Sequence, residues 1–165
     1  MKNIIALFFF ISFVMNINAQ KLISGNLSCL KSETKVNMVC DFSKCEIEKR
    51  PASLKIEEEP EWNKGINDII QLYNRGQSTK NKYFSVGQYP ESKYTIVYKL
   101  SSIDDDKDCK GQLMIIETAS NKEVALISNA NGSAGTFGSF FNLLGDAFED
   151  LGQKTGKIFR VELAK

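Results

Sequence analysis

Four cysteines, a short run of aspartates and eleven glycines carry most of the chemistry open to this chain, because it contains no histidine. Without an imidazole, the commonest general base, the usual nucleophilic triads and most catalytic metal sites are missing together. The cysteines are Cys29, Cys40, Cys45 and Cys109. Cys40 and Cys45 are spaced more widely than a CxxC knuckle, and no histidine completes a mixed zinc site. An even cysteine count in an exported chain reads as a disulfide framework with three possible pairings. The favoured one joins Cys45 to Cys109 across two loops, and Cys29 serves equally well as a small buried apolar residue.

Asp104, Asp105, Asp106 and Asp108 resemble a calcium loop only in composition. An EF-hand needs a central glycine and a bidentate glutamate at its twelfth position, which here is Ile115, so the run reads as a solvated turn. Glu57-Glu58-Glu59 is likewise an exposed charge run with no paired carboxylate beside it. Gly132-Ser133-Ala134-Gly135 lacks the Lys-Ser/Thr ending of a phosphate loop and follows a hairpin strand instead of opening a βαβ unit. Asn26-Leu27-Ser28 and Asn131-Gly132-Ser133 match glycosylation sequons, a match that would be idle if the chain were bacterial. The chain is therefore expected to carry no catalytic residue, no cofactor and no metal. An enzyme would have to work through separated carboxylates, and no segment concentrates them beside cleft-forming residues.

The elements that position these residues follow from periodicity. Leu22, Ile23, Leu27 and Leu30 precede the polar Lys31-Ser32-Glu33-Thr34, and Val36, Met38, Cys40 and Phe42 then alternate with Asn37, Val39 and Asp41, which predicts a hairpin over Lys21 to Phe42. Ser43 to Glu59 reads as a connection. Trp62, Ile66, Ile69, Ile70 and Tyr73 at helical spacing predict a helix over Glu61 to Arg75, opened by Pro60 and stopped by Gly76, with Trp62 as a core anchor. Strands follow at Tyr83 to Val86, Tyr94 to Leu100, Leu113 to Thr118 and Glu123 to Ser128, the last three as an antiparallel meander. A closing helix is predicted over Phe137 to Phe159. The order β-β-α-β-β-β-β-α gives an α+β domain, a mostly antiparallel sheet covered by two amphipathic helices.

Within that last helix Gly138, Gly145, Gly152 and Gly156 recur at seven, seven and four, which puts the last three near one stripe. Such a stripe lets the helix lie tightly on the sheet or on the first helix. A second reading gives the helix an aromatic contact face, with Phe137, Phe140, Phe141, Leu144 and Phe148 meeting a protein partner or a membrane surface. Asp146, Glu149 and Asp150 early, and Lys154, Lys157 and Arg160 late, complement the helix dipole.

Met1 to Ala19 carry a secretory address: Lys2, an apolar run from Ile4 to Met15 and a small residue at Ala19, so that cleavage leaves Gln20 first. Residues 1–19 are read as a signal peptide and 20–165 as a single domain, periplasmic or secreted. The run is short for a bilayer span, and no cysteine follows the cut to accept a lipid. The full chain has 21 Lys+Arg against 20 Asp+Glu, interspersed, which is no electrostatic footprint for nucleic acid.

Helix-opening Glu61-Trp62-Asn63, the strand YTIVYKL, the hairpin GQLMIIETASNKEVALIS and a glycine-rich lead into a last helix resemble periplasmic proteins of the curli-export lipoprotein and TolB amino-terminal-domain type. VNMVCDF resembles the first core strand of that group, and the likeness spans Val36 to Phe159. The chain also resembles exported Bacteroidetes proteins ending in a GDAFEDLGQKTGK-like helix. These resemblances imply a non-enzymatic envelope module whose partner is a protein of the cell envelope. The alternative is a small-molecule or glycan binder using Tyr83, Phe84 and Tyr89 around a loop.

Overall fold

The computed structural model describes residues 19–165 apart from position 60. The expected leader, Ala19 excepted, lies outside the described residues. Among the described residues the architecture is α+β, with one mixed sheet and three helices. The strands are β1 (Lys21–Gly25), β2 (Lys35–Asp41), β3 (Glu46–Ile47), β4 (Arg50–Pro51), β5 (Ser85–Gly87), β6 (Tyr94–Ile103), β7 (Cys109–Glu117) and β8 (Lys122–Ser128). The helices are α1 (Ala52–Glu58), α2 (Trp62–Ser78) and α3 (Phe140–Leu163).

The sheet runs β1-β8-β7-β6-β2-β5, with β3 beside the far end of β6 and β4 paired to β3. The meander β6-β7-β8 forms as its alternation predicts. The expected hairpin over Lys21 to Phe42 does not. β1 instead pairs antiparallel with β8, and β2 lies parallel between β5 and β6. Leu27 and Leu30, read as strand residues, flank and join a short 3-10 turn at Ser28–Leu30 and are buried in the core, so the chain crosses the sheet there instead of folding back. The connection after Phe42 is more ordered than expected, forming the β3-β4 hairpin and α1.

Alternation decides which face is covered. Met38, Ile96, Tyr98, Leu113, Ile115, Ala125 and Ile127 are buried on one face beneath α2 and α3, and Tyr98 meets Phe148 edge-on at 5.5 Å. On the opposite face Val39, Val97, Met114 and Leu126 form a row across four strands that keeps contact with solvent.

α2 and α3 approach each other almost backbone to backbone. A Cβ on Gly152 would stand 2.2 Å from the Tyr73 carbonyl oxygen, one on Gly156 2.6 Å from that of Gln77, and one on Gly76 2.0 Å from that of Glu149. The glycine stripe therefore lies on α2, the first helix of the sequence reading and one of the two placements the sequence allowed. Gly76 does not stop α2, which continues to Ser78, because this glycine is where the backbone of α3 touches. Just beyond, the buried Gln77 amide donates to the Phe84 carbonyl at 3.3 Å and accepts from Asn81 at 2.8 Å, so the polar group under the helices is satisfied.

Gly152→Ala is expected to push the helices apart and cost about 2–4 kcal/mol in urea unfolding. Gly135→Ala is the control, since its Cβ would meet only the flexible Asp146 carboxylate, and should stay within about 0.5 kcal/mol.

Candidate functional site

The segment leading into α3 gathers most of the predicted contact residues, and the structure sorts them by depth. Leu144 and Phe148 are fully buried and spent on the core, so the expected contact face cannot include them. Helical spacing placed them on one stripe with the other aromatics, and the stripe faces the sheet. Phe140 and Phe141 are half-buried, with centroids 5.4 and 5.1 Å from the Trp62 ring, and Phe42 closes the cluster at 5.6 Å. Trp62 is the core anchor expected, and its indole N–H donates to Glu59 at 3.3 Å. Phe137 precedes the helix instead of opening it and is 92% exposed.

The loop around Phe137 is held at both ends. The Ser133 amide donates to the Asp150 carboxylate at 2.9 Å and the Ala134 amide to Asp108 at 2.8 Å. At the far end, Gly138 adopts φ +153° and Ser139 caps α3 by accepting from the Asn142 amide. The aspartate run thus anchors the glycine segment: Asp108 holds Ala134, and Asp104 accepts from the Asp108 amide at 3.0 Å. No group of three or more metal-ligating side chains is assembled among the described residues.

Beneath the loop lies an ion cluster that composition did not reveal. Glu48 accepts from Lys55 at 2.5 Å and pairs with Lys107 at 2.8 Å, while both ammonium groups lie over the Phe140 ring, at 5.3 and 5.5 Å. The hydrogen bond from Lys107, then that from Lys55, holds the Glu48 carboxyl below its usual range. Glu48, Lys49 and Lys107 all have positive φ, at 50°, 64° and 70°. Glu48-Lys49 form the two-residue turn of the β3-β4 hairpin, where Asn-Gly is the usual choice. Strain of this kind persists only where surrounding contacts over-determine it. Here the two strained residues Glu48 and Lys107 hold each other.

The four sulfurs, Cys45 and Cys109 of the favoured pairing among them, are unpaired in this structure. Cys109 does not sit in the acidic turn but opens β7, where its amide and carbonyl bridge to Gly132 at 2.9 Å each. Cys45 is buried beside β3 and donates to the Glu46 carbonyl. Each is fixed by its own backbone ladder. Burial pushes the Cys109 thiol up to about 11, and burial followed by the neighbouring Cys109 raises Cys45 to about 12. The aromatic trio of the alternative glycan reading is not brought together as a cleft either: Phe84 is buried against Phe159 at 5.2 Å, Tyr83 is exposed and Tyr89 is half-buried.

No protein family matches this chain, and no curated protein matches it. Among solved structures, a PelC dodecamer from Paraburkholderia phytofirmans is similar at TM-score 0.43 and 8% identity, covering 82% of this chain and 97% of that one. A leucine-to-methionine variant of the same protein gives 0.42 and 9%, covering 82% and 96%. Nothing about this chain's ligand or assembly follows from likeness at that level.

The thiols give a pH test. Both folded values lie above the ordinary 9.0, so their contribution to stability is complete below about pH 9 and is lost as pH rises towards 11. Cys109→Ala should flatten the fall in unfolding free energy across that window by about 1.4 kcal/mol per pH unit relative to the wild type, read from urea titrations at each pH.

Proposed function

We propose that this protein is an exported, non-catalytic binding module of the cell envelope that grips a protein partner through Phe137 and the loop leading into α3. One observation carries the reading. Phe137 stands 92% exposed on a loop whose two ends are hydrogen-bonded to the body. A large aromatic presented on a pre-ordered loop loses little conformational freedom on docking, and phenylalanine is among the residues enriched in the cores of protein interfaces. The contact element is therefore smaller than the whole helix face read from the sequence, with Phe140 and Phe141 as the floor beneath it.

Export rests on the leader sequence. Gln20, immediately after the expected cut, donates to Thr155 at 2.8 Å, so cleavage there leaves this contact in the fold. Mass spectrometry of the native protein's N-terminal peptide should place the first residue at Gln20, as free glutamine or as the pyroglutamate it forms by losing ammonia, and a native chain retaining Met1 would contradict export.

A photo-crosslinker at position 136 should capture one envelope protein in the wild type. Phe137→Ala should lose that capture while leaving the unfolding midpoint unchanged. Capture that survives Phe137→Ala would remove the loop as the contact, and Phe137-dependent binding to protein-free anionic vesicles would replace the protein partner with a membrane surface.

A further inference from the structure

Three depressions on the surface run into one another. The middle one, about 500 Å³, lies between the ends of β6 and β7 and the segment after β8. It shares Lys44, Lys99 and Leu100 with a smaller hollow of about 110 Å³ on one side. On the other side it shares Asn129 and Asn131 with a third of about 350 Å³ that reaches Lys154 and Lys157 on α3. Together they make one open track, and the ammonium groups follow it from end to end.

The charges along the track are cancelled only in part. Lys110 pairs with Asp104 at 3.4 Å and Lys154 with Asp150 at 2.6 Å. Lys44, Lys99 and Lys157 make no ion pair among the described residues and are exposed. The one further carboxylate beside them, Asp41, is held low first by the Ser43 side chain, then by the Ser43 amide at 3.0 Å, and after these by Lys99 and Lys44, so a single negative charge stands against three lysines without an ion pair. Between the lysines the lining is neutral and hydrogen-bonding: Ser101, the exposed Gln112 amide, and Asn131, whose side-chain oxygen accepts from the Gly111 amide.

This lining selects a ligand by chemistry. No aromatic residue lines the track, so nucleobases have nothing to stack on. No arginine lines it, so phosphate meets no guanidinium fork. Spaced point charges alternating with amides and a hydroxyl match a chain that alternates carboxylates with hydroxyl groups. We propose that this track binds a linear acidic oligosaccharide, with Lys44, Lys99 and Lys157 facing its carboxylates and Gln112 and Asn131 its hydroxyls. The site is separate from the Phe137 loop and does not depend on it.

Calorimetric titration of the chain from Gln20 to Lys165 with an oligogalacturonate hexamer tests the assignment. The expected result is saturable one-to-one binding that weakens with added salt, is absent with the neutral galactose oligomer, and falls about tenfold in the double variant Lys44→Gln/Lys99→Gln. Both lysines are exposed, so the variant should fold as the wild type does, and Phe137→Ala should bind the hexamer unchanged. No binding by the wild type, equal binding by the double variant, or equal binding of the neutral oligomer would each overturn the assignment. Tighter, lysine-dependent binding of inorganic polyphosphate would also overturn it, reducing the track to an unselective anion patch.

Discussion

Two helices that meet backbone to backbone at Gly76, Gly152 and Gly156 set the geometry of everything else in this molecule. Gly145, Gly152 and Gly156 on α3, and Gly76 on α2, leave no room for a Cβ, and α3 lies along α2 for most of that helix's length. Glycine in a helix interior costs roughly 1 kcal/mol against alanine, so the five in these two helices, Gly65 included, are tolerated only because close contact and burial of the flanking side chains offset the loss. That contact turns Leu144, Phe148, Leu151 and Phe159 onto the sheet, where each is fully buried. Burial of such side chains is worth about 1.5–3 kcal/mol apiece. The helical layer and the sheet are consequently one unit.

Spending the apolar face of α3 on the core leaves two other surfaces for the contacts proposed above. One is the loop carrying Phe137, held by Asp108 and Asp150 above the Trp62 cluster. Its foundation is electrostatic as well as apolar, because Glu48 binds the two lysines that flank Phe140 and ties the β3-β4 turn to the acidic turn after β6. The other is the lysine track between the sheet end and α3. They differ in chemistry: an apolar anchor on a fixed loop in one case, spaced cations in an open groove in the other.

Much of this was legible where the signal is local. Tyr94, Ile96, Tyr98 and Leu100 alternate as a strand should, and Trp62, Ile69, Ile70 and Tyr73 recur at helical spacing, so the meander and α2 could be placed from sequence. Pairing between distant strands is not a local property. Nothing in Lys21 to Gly25 shows that its partner is Lys122 to Ser128 instead of β2. The β3-β4 turn was invisible because it uses Glu48-Lys49 where glycine or asparagine normally marks such a turn. Gly76 misled for a related reason, since a glycine at a helix end and one at a helix crossing look alike until the second helix is placed. For the contact face, the stripe itself was right and its direction was not. The lysine track had no signature at all, because its members come from five separate segments.

Hydrogen exchange resolved to single amides is the most direct test of the claim that α2 and α3 are locked to each other and to the sheet. Amides of Leu72 to Gln77 and of Phe148 to Gly156 should exchange only through global unfolding, with the same free energy and denaturant dependence as those of Ile96 to Leu100 in β6. If the α3 amides instead exchange through a separate opening of lower free energy while β6 stays protected, the helices are not one body with the sheet, and the account built on their contact is wrong.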